Sequence, residues 1–324
     1  MATNIRWGIL GAGRIAGDFA TALNYTAGAE LYAVASTDAE KGKAFAKRFG
    51  APTQYTRYES LAKDPGVDII YIATPHAFHY EHTLLCLRHG KAVLCEKPLA
   101  LNYRQAAAMA EEARQRELFL MEGMWTRFMP SLNKARQLID VGIIGDLRYV
   151  QADFGFATDY NPQGRLFNRA LGGGSLLDVG VYPVFLSCFL MGKPTAIQAL
   201  AGKAPTGTDE YCHALLQYSG GRSAHIFSAV HVATGLQAEI AGTHGRIILA
   251  RPWYKSEELR VEPSDGVASS YSFPWECNGF EYEIQEVMEC LENGFKECPA
   301  MPLDLTLQMS EVMEEIGRVT GVNY

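Results

Sequence analysis

Paired cysteines at short spacing are missing from this chain of 324 residues: its 7 cysteines are odd in number and contain no C-x-x-C pair. That removes a disulfide framework and a zinc-ribbon pattern from consideration. Most of the cysteines sit in apolar surroundings, as Cys86 and Cys95 do, and are expected to be small core residues in a reducing compartment. Basic charge is also scarce. With 29 Lys and Arg against 36 Asp and Glu, the formal net charge is -7 and the pI near 5.7. A nucleic-acid partner, which needs clustered cations against phosphate, is not expected. Long apolar runs are lacking too: residues 176–190 include Asp, Gly and Pro and read as too short for a membrane span, and residues 1–11 lack the apolar stretch of a secretory signal. No repeat or low-complexity tract is evident. A cytoplasmic protein is expected.

What the chain does have is 48% hydrophobic content, enough over this length for two cores. Short apolar segments at 5–10, 30–36, 69–73, 92–95 and 118–121 alternate with helical patterns such as 39–49 and 103–117. This rhythm predicts a doubly wound parallel sheet. From Arg148 onward the rhythm changes. Segments at 147–156, 195–201, 211–218, 223–232, 237–240, 246–249 and 258–262 follow one another with little helix between, and Ser219-Gly220-Gly221-Arg222 reads as a hairpin turn. The expectation is an α/β N-terminal Rossmann domain over residues 1–123 and an α+β domain over 124–324. The second would carry a large, mainly antiparallel, open-faced sheet and serve substrate binding and oligomerisation. Helical patterns at 280–293 and 303–319 close the chain.

The motif Gly11-Ala12-Gly13-Arg14-Ile15-Ala16 follows the first apolar strand. Gly11 permits a tight turn, Gly13 lets a pyrophosphate approach the backbone, and Ala16 is small where a helix must pack closely. The free N–H groups of the helix start would face the phosphates. An NAD site usually has Asp or Glu at the end of the second strand to grip the ribose; this chain has Ser36. Ser36 and Thr37 hydroxyls, with Lys41 or Lys43 nearby, suit a 2'-phosphate instead, so NADP is favoured and NAD remains possible. Asp38 is the alternative ribose ligand, and residues 36–38 also read as a helix cap.

A later segment, Cys95-Glu96-Lys97-Pro98-Leu99-Ala100-Leu101, delivers a lysine and a turn from the end of another strand. Together with Thr74-Pro75-His76-Ala77-Phe78-His79 and the run from Gly172 to Pro183 (GGGSLLDVGVYP), it resembles the Gfo/Idh/MocA family of oxidoreductases along the whole chain. The segment from Met121 to Pro130 (MEGMWTRFMP) is similar to a narrower branch, the dimeric dihydrodiol dehydrogenases and NADP-dependent D-xylose dehydrogenases. One departure is Thr37, where many NADP-using relatives place Arg.

The resemblance implies a hydride transfer between nicotinamide and a secondary alcohol or carbonyl of a cyclic diol or an aldose. Such a reaction needs a proton acceptor and a positive charge against alkoxide character. Lys97 supplies the charge; a tyrosine, with a reference pKa of about 10, becomes a better base beside an ammonium. Lys97 with Tyr182, supported by Asp178, is therefore the expected catalytic set. Asp178 and Tyr182 share a face if 175–191 is one helix. Structural readings, Asp178 in an ion pair and Tyr182 in the core, stand beside this.

The expected cofactor contacts are Gly11, Gly13, Arg14, Ile15, Ser36, Thr37, Thr74, Pro75, His79, Glu96 and Lys97, and Lys97-Pro98 is expected to be cis. Trp125, Arg127, Phe128, Phe154 and Phe280 are candidates for the substrate cleft or, equally, for packing; Trp253 shares that ambiguity. His76, His79 and His82 recur at three-residue intervals without an acidic or thiol ligand, and no metal is expected. A homodimer or higher homo-oligomer through the second sheet is expected, because such a sheet must cover its outer face. Two alternatives stay open: a non-catalytic NAD(P)-binding sensor, or an inositol or other polyol dehydrogenase using NAD.

Overall fold

A computed structural model describes residues 4–323. Six strands, β1 (Ile5–Leu10), β2 (Ala29–Ala35), β3 (Thr53–Tyr55), β4 (Ile69–Ile72), β5 (Ala92–Glu96) and β6 (Leu120–Gly123), form an all-parallel sheet in the order β3-β2-β1-β4-β5-β6. The helices between them are α1 (Arg14–Tyr25), α2 (Ala39–Phe49), α3 (Tyr58–Ala62), α4 (His79–Arg88) and α5 (Tyr103–Gln115). Strands β4 and β5 are buried at every position, as expected for central strands of a parallel sheet covered on both faces, and so is β6 at the sheet edge. The strand order reverses between β1 and β4, and the carboxyl ends flanking such a reversal are where these sheets hold ligands.

The sequence reading places α2 at its observed bounds, and the reason is local. Asp38 accepts the Lys41 N–H at 3.1 Å, and Gly50 ends the helix at a φ of 78° that suits glycine. The short edge strand β3 was not anticipated; its three residues are too few for a periodicity to show.

The remaining chain contains α6 (Pro130–Asp140), α7 (Val181–Met191), α8 (Phe280–Glu292), α9 (Leu303–Thr320) and eight further strands. These are β7 (Leu147–Gly155), β8 (Ala196–Lys203), β9 (Asp209–Gln217), β10 (Ser223–Ala229), β11 (Ala238–Gly242), β12 (Gly245–Leu249), β13 (Glu258–Pro263) and β14 (Ser269–Ser272). They pair in the order β14-β13-β12-β11-β7-β10-β9-β8, antiparallel except for the parallel pair β7 and β10. The β9–β10 hairpin turns where expected, with Gly220 and Gly221 at φ of 73° and 72°.

The chain divides into two compact units. The first holds the residues up to Ala100, Arg104–Trp125 and Glu276–Thr306; the second holds Leu101–Tyr103, Thr126–Trp275 and Leu307 onward. The sequence reading placed a single crossing after Gly123, whereas α8 folds with the first unit. The cause is aromatic: Phe280 at the start of α8 meets Phe19 of α1 edge-on at 5.9 Å, and Phe19 stacks on Tyr71 of β4 at 3.7 Å. Leu120 N–H also donates to the Lys296 carbonyl, and Arg114 pairs with Glu297 at 2.7 Å.

One expectation is corrected in the second unit. The helical run Arg169–Met191 is long and apolar enough by length and composition to cross a membrane, and 94% of its most apolar window is buried. It is also not one regular helix. Leu176–Gly180 forms a π-helical turn ahead of α7. Pro183 lacks an N–H for the Val179 carbonyl and its ring crowds that oxygen, so a wider turn relieves both problems.

Candidate active site

The ends of β1, β4 and β5 build a candidate cofactor site within the first unit. Gly11 sits at a φ of 103°, and a Cβ there would lie 3.1 Å from the Ala73 carbonyl and from the Thr74 methyl. Only glycine lets β1 turn this close to the end of β4. Gly13 precedes α1, whose first turn has neither a side-chain cap nor an acidic residue. A Cβ on Gly13 would meet only the Ala73 carbonyl, at 3.9 Å, so the space before the helix is open. A positive helix end facing open space fits a pyrophosphate. Arg14 is exposed and Ile15 half-buried beside it, while Ala16 is fully buried under the helix.

Ser36 is buried, and its hydroxyl accepts the Asp38 N–H at 3.3 Å. Asp38 caps α2 and pairs with the Lys41 ammonium at 3.5 Å; the Lys41 N–H bond is the main reason its carboxyl lies below the ordinary value. Residues 36–38 thus cap α2, with Thr37 exposed between Ser36 and Asp38.

Thr74 and Pro75 follow β4. The Thr74 hydroxyl meets His82 Nδ1 at 3.0 Å. His79 is fully buried, with Nε2 2.8 Å from the Thr74 carbonyl and Nδ1 2.8 Å from the Pro98 carbonyl. His79 therefore joins the turn after β4 to the turn after β5 through its ring. Burial pulls its pKa down to about 4, against the pull of the two carbonyls.

The Lys97-Pro98 peptide is cis, as expected. Glu96 accepts the Tyr71 hydroxyl and the Lys97 N–H, the latter at 3.3 Å. Glu122 of β6 accepts the Leu99 N–H at 2.9 Å, so carboxylates hold the turn on both sides of Pro98. Glu122 was not singled out from the sequence. Burial, only partly offset by the Leu99 bond and the Lys97 charge, raises its pKa to about 7. Beside it, Glu283 of α8 is fully buried, and neither of its carboxyl oxygens has a hydrogen-bond partner among the described residues. Trp125 and Phe280 stack in the same unit at 4.5 Å, inclined by 8°.

The second unit carries Asp178 and Tyr182. The three glycines before them are a packing requirement: a Cβ on Gly173 would lie 2.7 Å from the carbonyls of Arg165 and Leu166, and Gly174 has a φ of 123°. Buried Asp209 of β9 then anchors the following turn, accepting the Ser175 hydroxyl at 2.6 Å and the Leu176 N–H at 2.7 Å. Asp178 is bound by both terminal nitrogens of Arg165, at 2.5 and 3.3 Å. The ion pair foreseen as its structural role is real, although the sequence offered no spacing that would name Arg165. Tyr182 is buried, 5.2 Å from the Phe154 ring and 5.4 Å from Tyr254. Phe154 and Tyr254 stack at 4.2 Å and 12°. Arg127 is turned toward structure: its guanidinium lies 4.6 Å from the Phe189 ring and donates to Asn133 at 2.6 Å. Phe128 is buried next to it, and Trp253 donates to the Asp153 carbonyl at 2.7 Å as a core residue.

Comparison with known proteins adds a second line of evidence. Residues 5–124 match the family model described as "Oxidoreductase family, NAD-binding Rossmann fold", and residues 132–248 match the "GFO/IDH/MocA C-terminal domain". The chain is 38% identical over 331 residues to trans-1,2-dihydrobenzene-1,2-diol dehydrogenase of Mus musculus, covering 99% of this chain and 98% of that one. The Homo sapiens enzyme of the same name is 37% identical over 329 residues, with the same coverage of 99% and 98%. Among solved structures, the aldose-aldose oxidoreductase of Caulobacter crescentus, complexed with glycerol, aligns with a TM-score of 0.89 at 27% identity, over 98% of each chain. A 3-ketoreductase of Actinomadura kijaniata in complex with NADP and TDP-benzene aligns with a TM-score of 0.87 at 26% identity, again over 98% of each chain.

Proposed function

The chain belongs to the Gfo/Idh/MocA oxidoreductase family, and on that premise we propose that it is an NADP-dependent dehydrogenase acting on a CH–OH group of a cyclic diol or a sugar. The observation that carries the cofactor preference is the state of Asp38. Its carboxylate is committed to the α2 cap and to Lys41, and the strand end itself carries Ser36, so no acidic side chain stands ready to grip a ribose 2'-hydroxyl or repel a 2'-phosphate. The full-length dehydrogenase relatives and the NADP-bound structural relative support the same reading.

NADP, when bound, supplies the carbon that accepts or returns the hydride. Gly11, Gly13 and the start of α1 would hold its pyrophosphate, with Ser36 and Thr37 at the ribose end and Thr74 and Pro75 beneath the nicotinamide half. Lys97 places an ammonium where alkoxide character develops, and Tyr182 takes the hydroxyl proton. Asp178, ion-paired to Arg165, supports that pair. The stacked rings Trp125–Phe280 and Phe154–Tyr254 offer flat apolar faces suited to a ring substrate. Nicotinamide absorbance followed over trans-dihydrodiols, D-xylose, other aldoses and inositols tests this. Turnover with a cyclic diol or an aldose and NADP is expected; activity confined to NAD and inositols would replace the reading.

The exposed positions of the second sheet support a homodimer. Leu200 and Leu215, 58% and 55% exposed, lie on β8 and β9, where His213 pairs with Leu200 on one side and with half-buried Phe227 on the other. A monomeric mass by light scattering would end that part of the proposal. A cytoplasmic location suits a chain whose 7 cysteines are all free thiols, and cell fractionation checks it.

A further inference from the structure

The geometry points to a thiolate metal site, outside the catalytic machinery, formed by Glu286, Cys290 and Cys298 and suited to a zinc-like divalent cation. Glu286 and Cys290 lie one turn apart on α8 and so share a face. The chain then reverses through Gly294, at a φ of 73°, and the Phe295 N–H closes onto the Cys290 carbonyl at 2.9 Å. Cys298 arrives beside the helix, its position set by the neighbouring Glu297–Arg114 pair and by a β-bridge between Cys298 and Met301. As a result the Glu286 carboxylate oxygen and the two sulfurs all lie within 4.8 Å of one another.

The spacing fits a small tetrahedral ion. A zinc ion with Zn–S of about 2.3 Å and Zn–O of about 2.1 Å keeps a sulfur and an oxygen roughly 3.6 Å apart. Cys298 Sγ, which donates to Glu286, is 3.6 Å from its oxygen. The charge around the site suits a cation: one of the three donors is a carboxylate, and the last turn of α8 has no basic residue to balance its carbonyl ends. Both cysteines are buried, while Glu286 is part-exposed and leaves a way in. Three protein donors leave the fourth position to water. On binding, two thiol protons are released as two metal–sulfur bonds form, with no change of oxidation state.

The experiment uses the full chain, reduced and freed of metal with a chelator, and then titrated with Co2+ and with Zn2+. One Co2+ per chain with a sulfur-to-cobalt charge-transfer band in the near ultraviolet is expected, displaced by Zn2+. The band disappears in the Cys290→Ser/Cys298→Ser double variant and persists in Cys277→Ser. Glu286→Gln weakens binding by about 10-fold or more. Zn2+ raises the melting temperature of the wild type and leaves that of the double variant unchanged, a readout that separates loss of the site from loss of the fold. No charge-transfer band in the wild type, or a band that survives the double substitution, overturns the assignment. So does a Cys290–Cys298 disulfide formed under hydrogen peroxide by a protein that gave no cobalt band when reduced.

Discussion

Glu283→Gln tests the physical reading of the first unit most directly. The Glu283 carboxyl is fully buried, has no hydrogen-bond partner among the described residues, and faces the charges of Glu96 and Glu122. Burial first, and those two charges next, push its pKa well above 4.5. The native protein therefore keeps a proton that the unfolded chain releases above pH 4.5, and the sign follows from linkage. Stability falls as pH rises, by about 1.4 kcal/mol per unit, until Glu283 ionises within the fold.

Glutamine keeps the shape and abolishes the titration. It also buries an amide whose unmet hydrogen bonds cost about 1–3 kcal/mol, a cost that does not vary with pH. The sign of the variant's effect at any single pH is set by that constant, but the slope is not. The stability of Glu283→Gln minus that of the wild type is expected to climb as pH rises above the ordinary carboxylate value of 4.5, at up to about 1.4 kcal/mol per unit. Urea denaturation followed by far-ultraviolet circular dichroism at several pH values measures it. A difference that stays flat refutes the argument, since it would mean that Glu283 is ionised and paired in the native state.

Three further predictions follow from the candidate site residues. Lys97→Met, which removes the ammonium and keeps the stem, should leave NADP binding intact while turnover falls about 100-fold or more. Tyr182→Phe should add little to that loss, because effects within one catalytic unit are not additive; full activity in Lys97→Met would remove the lysine from the mechanism. Fluorescence titration should show NADP binding more tightly than NAD, with Ser36→Asp reversing the order by placing a carboxylate against the 2'-phosphate, and equal affinities in the wild type would return the ribose to Asp38. His79→Gln should flatten the acid limb of the stability profile. The buried ring protonates near pH 4 when folded and near 6.5 when unfolded, so its stabilisation is complete above 6.5 and is lost as pH drops through that window, at up to about 1.4 kcal/mol per unit. An unchanged acid limb in the variant would show that His79 is already charged in the fold.

The elements legible in the sequence are those with a local cause. Helix α2 can be read because its cap, Asp38, and its terminator, Gly50, are both in the segment. Strand β1 can be read because its run of apolar residues ends at a glycine that no other residue can replace beside Ala73. The same logic identified the cis turn at Lys97-Pro98 and the hairpin at Gly220-Gly221. The crossing of α8 back to the first unit could not be read. It depends on Phe280 meeting Phe19, which lies far away along the chain and has no pattern that announces its partner. The π turn before α7 was partly visible: Pro183 inside an apolar helical run signals an interruption, but not which hydrogen-bonding pattern absorbs it.

The site shows the same division between what a segment can state and what only a fold can supply. Glycines, a lysine beside a proline, and a tyrosine after Asp-Val-Gly state their chemistry within a few residues. What holds them in place comes from elsewhere. Asp209 reaches from β9 to anchor the turn before Asp178, Arg165 binds Asp178 from a loop, and His79 ties two strand ends together with one ring. Such residues are polar and isolated in sequence, so no periodicity marks them. Asp209 and His79 are identified by burial once the fold is known, because a buried polar group without partners is costly, and Arg165 by the buried Asp178 it pairs with; each has its partners in the segments that carry the chemistry. Glu283 is the exception to that rule, with burial and no partner among the described residues, in a unit where Glu96 and Glu122 each hold a backbone N–H of the lysine turn and Glu281 holds those ahead of α8. A protonated Glu283 resolves the conflict, since burial and the neighbouring Glu96 and Glu122 carboxyls all disfavour its charged form.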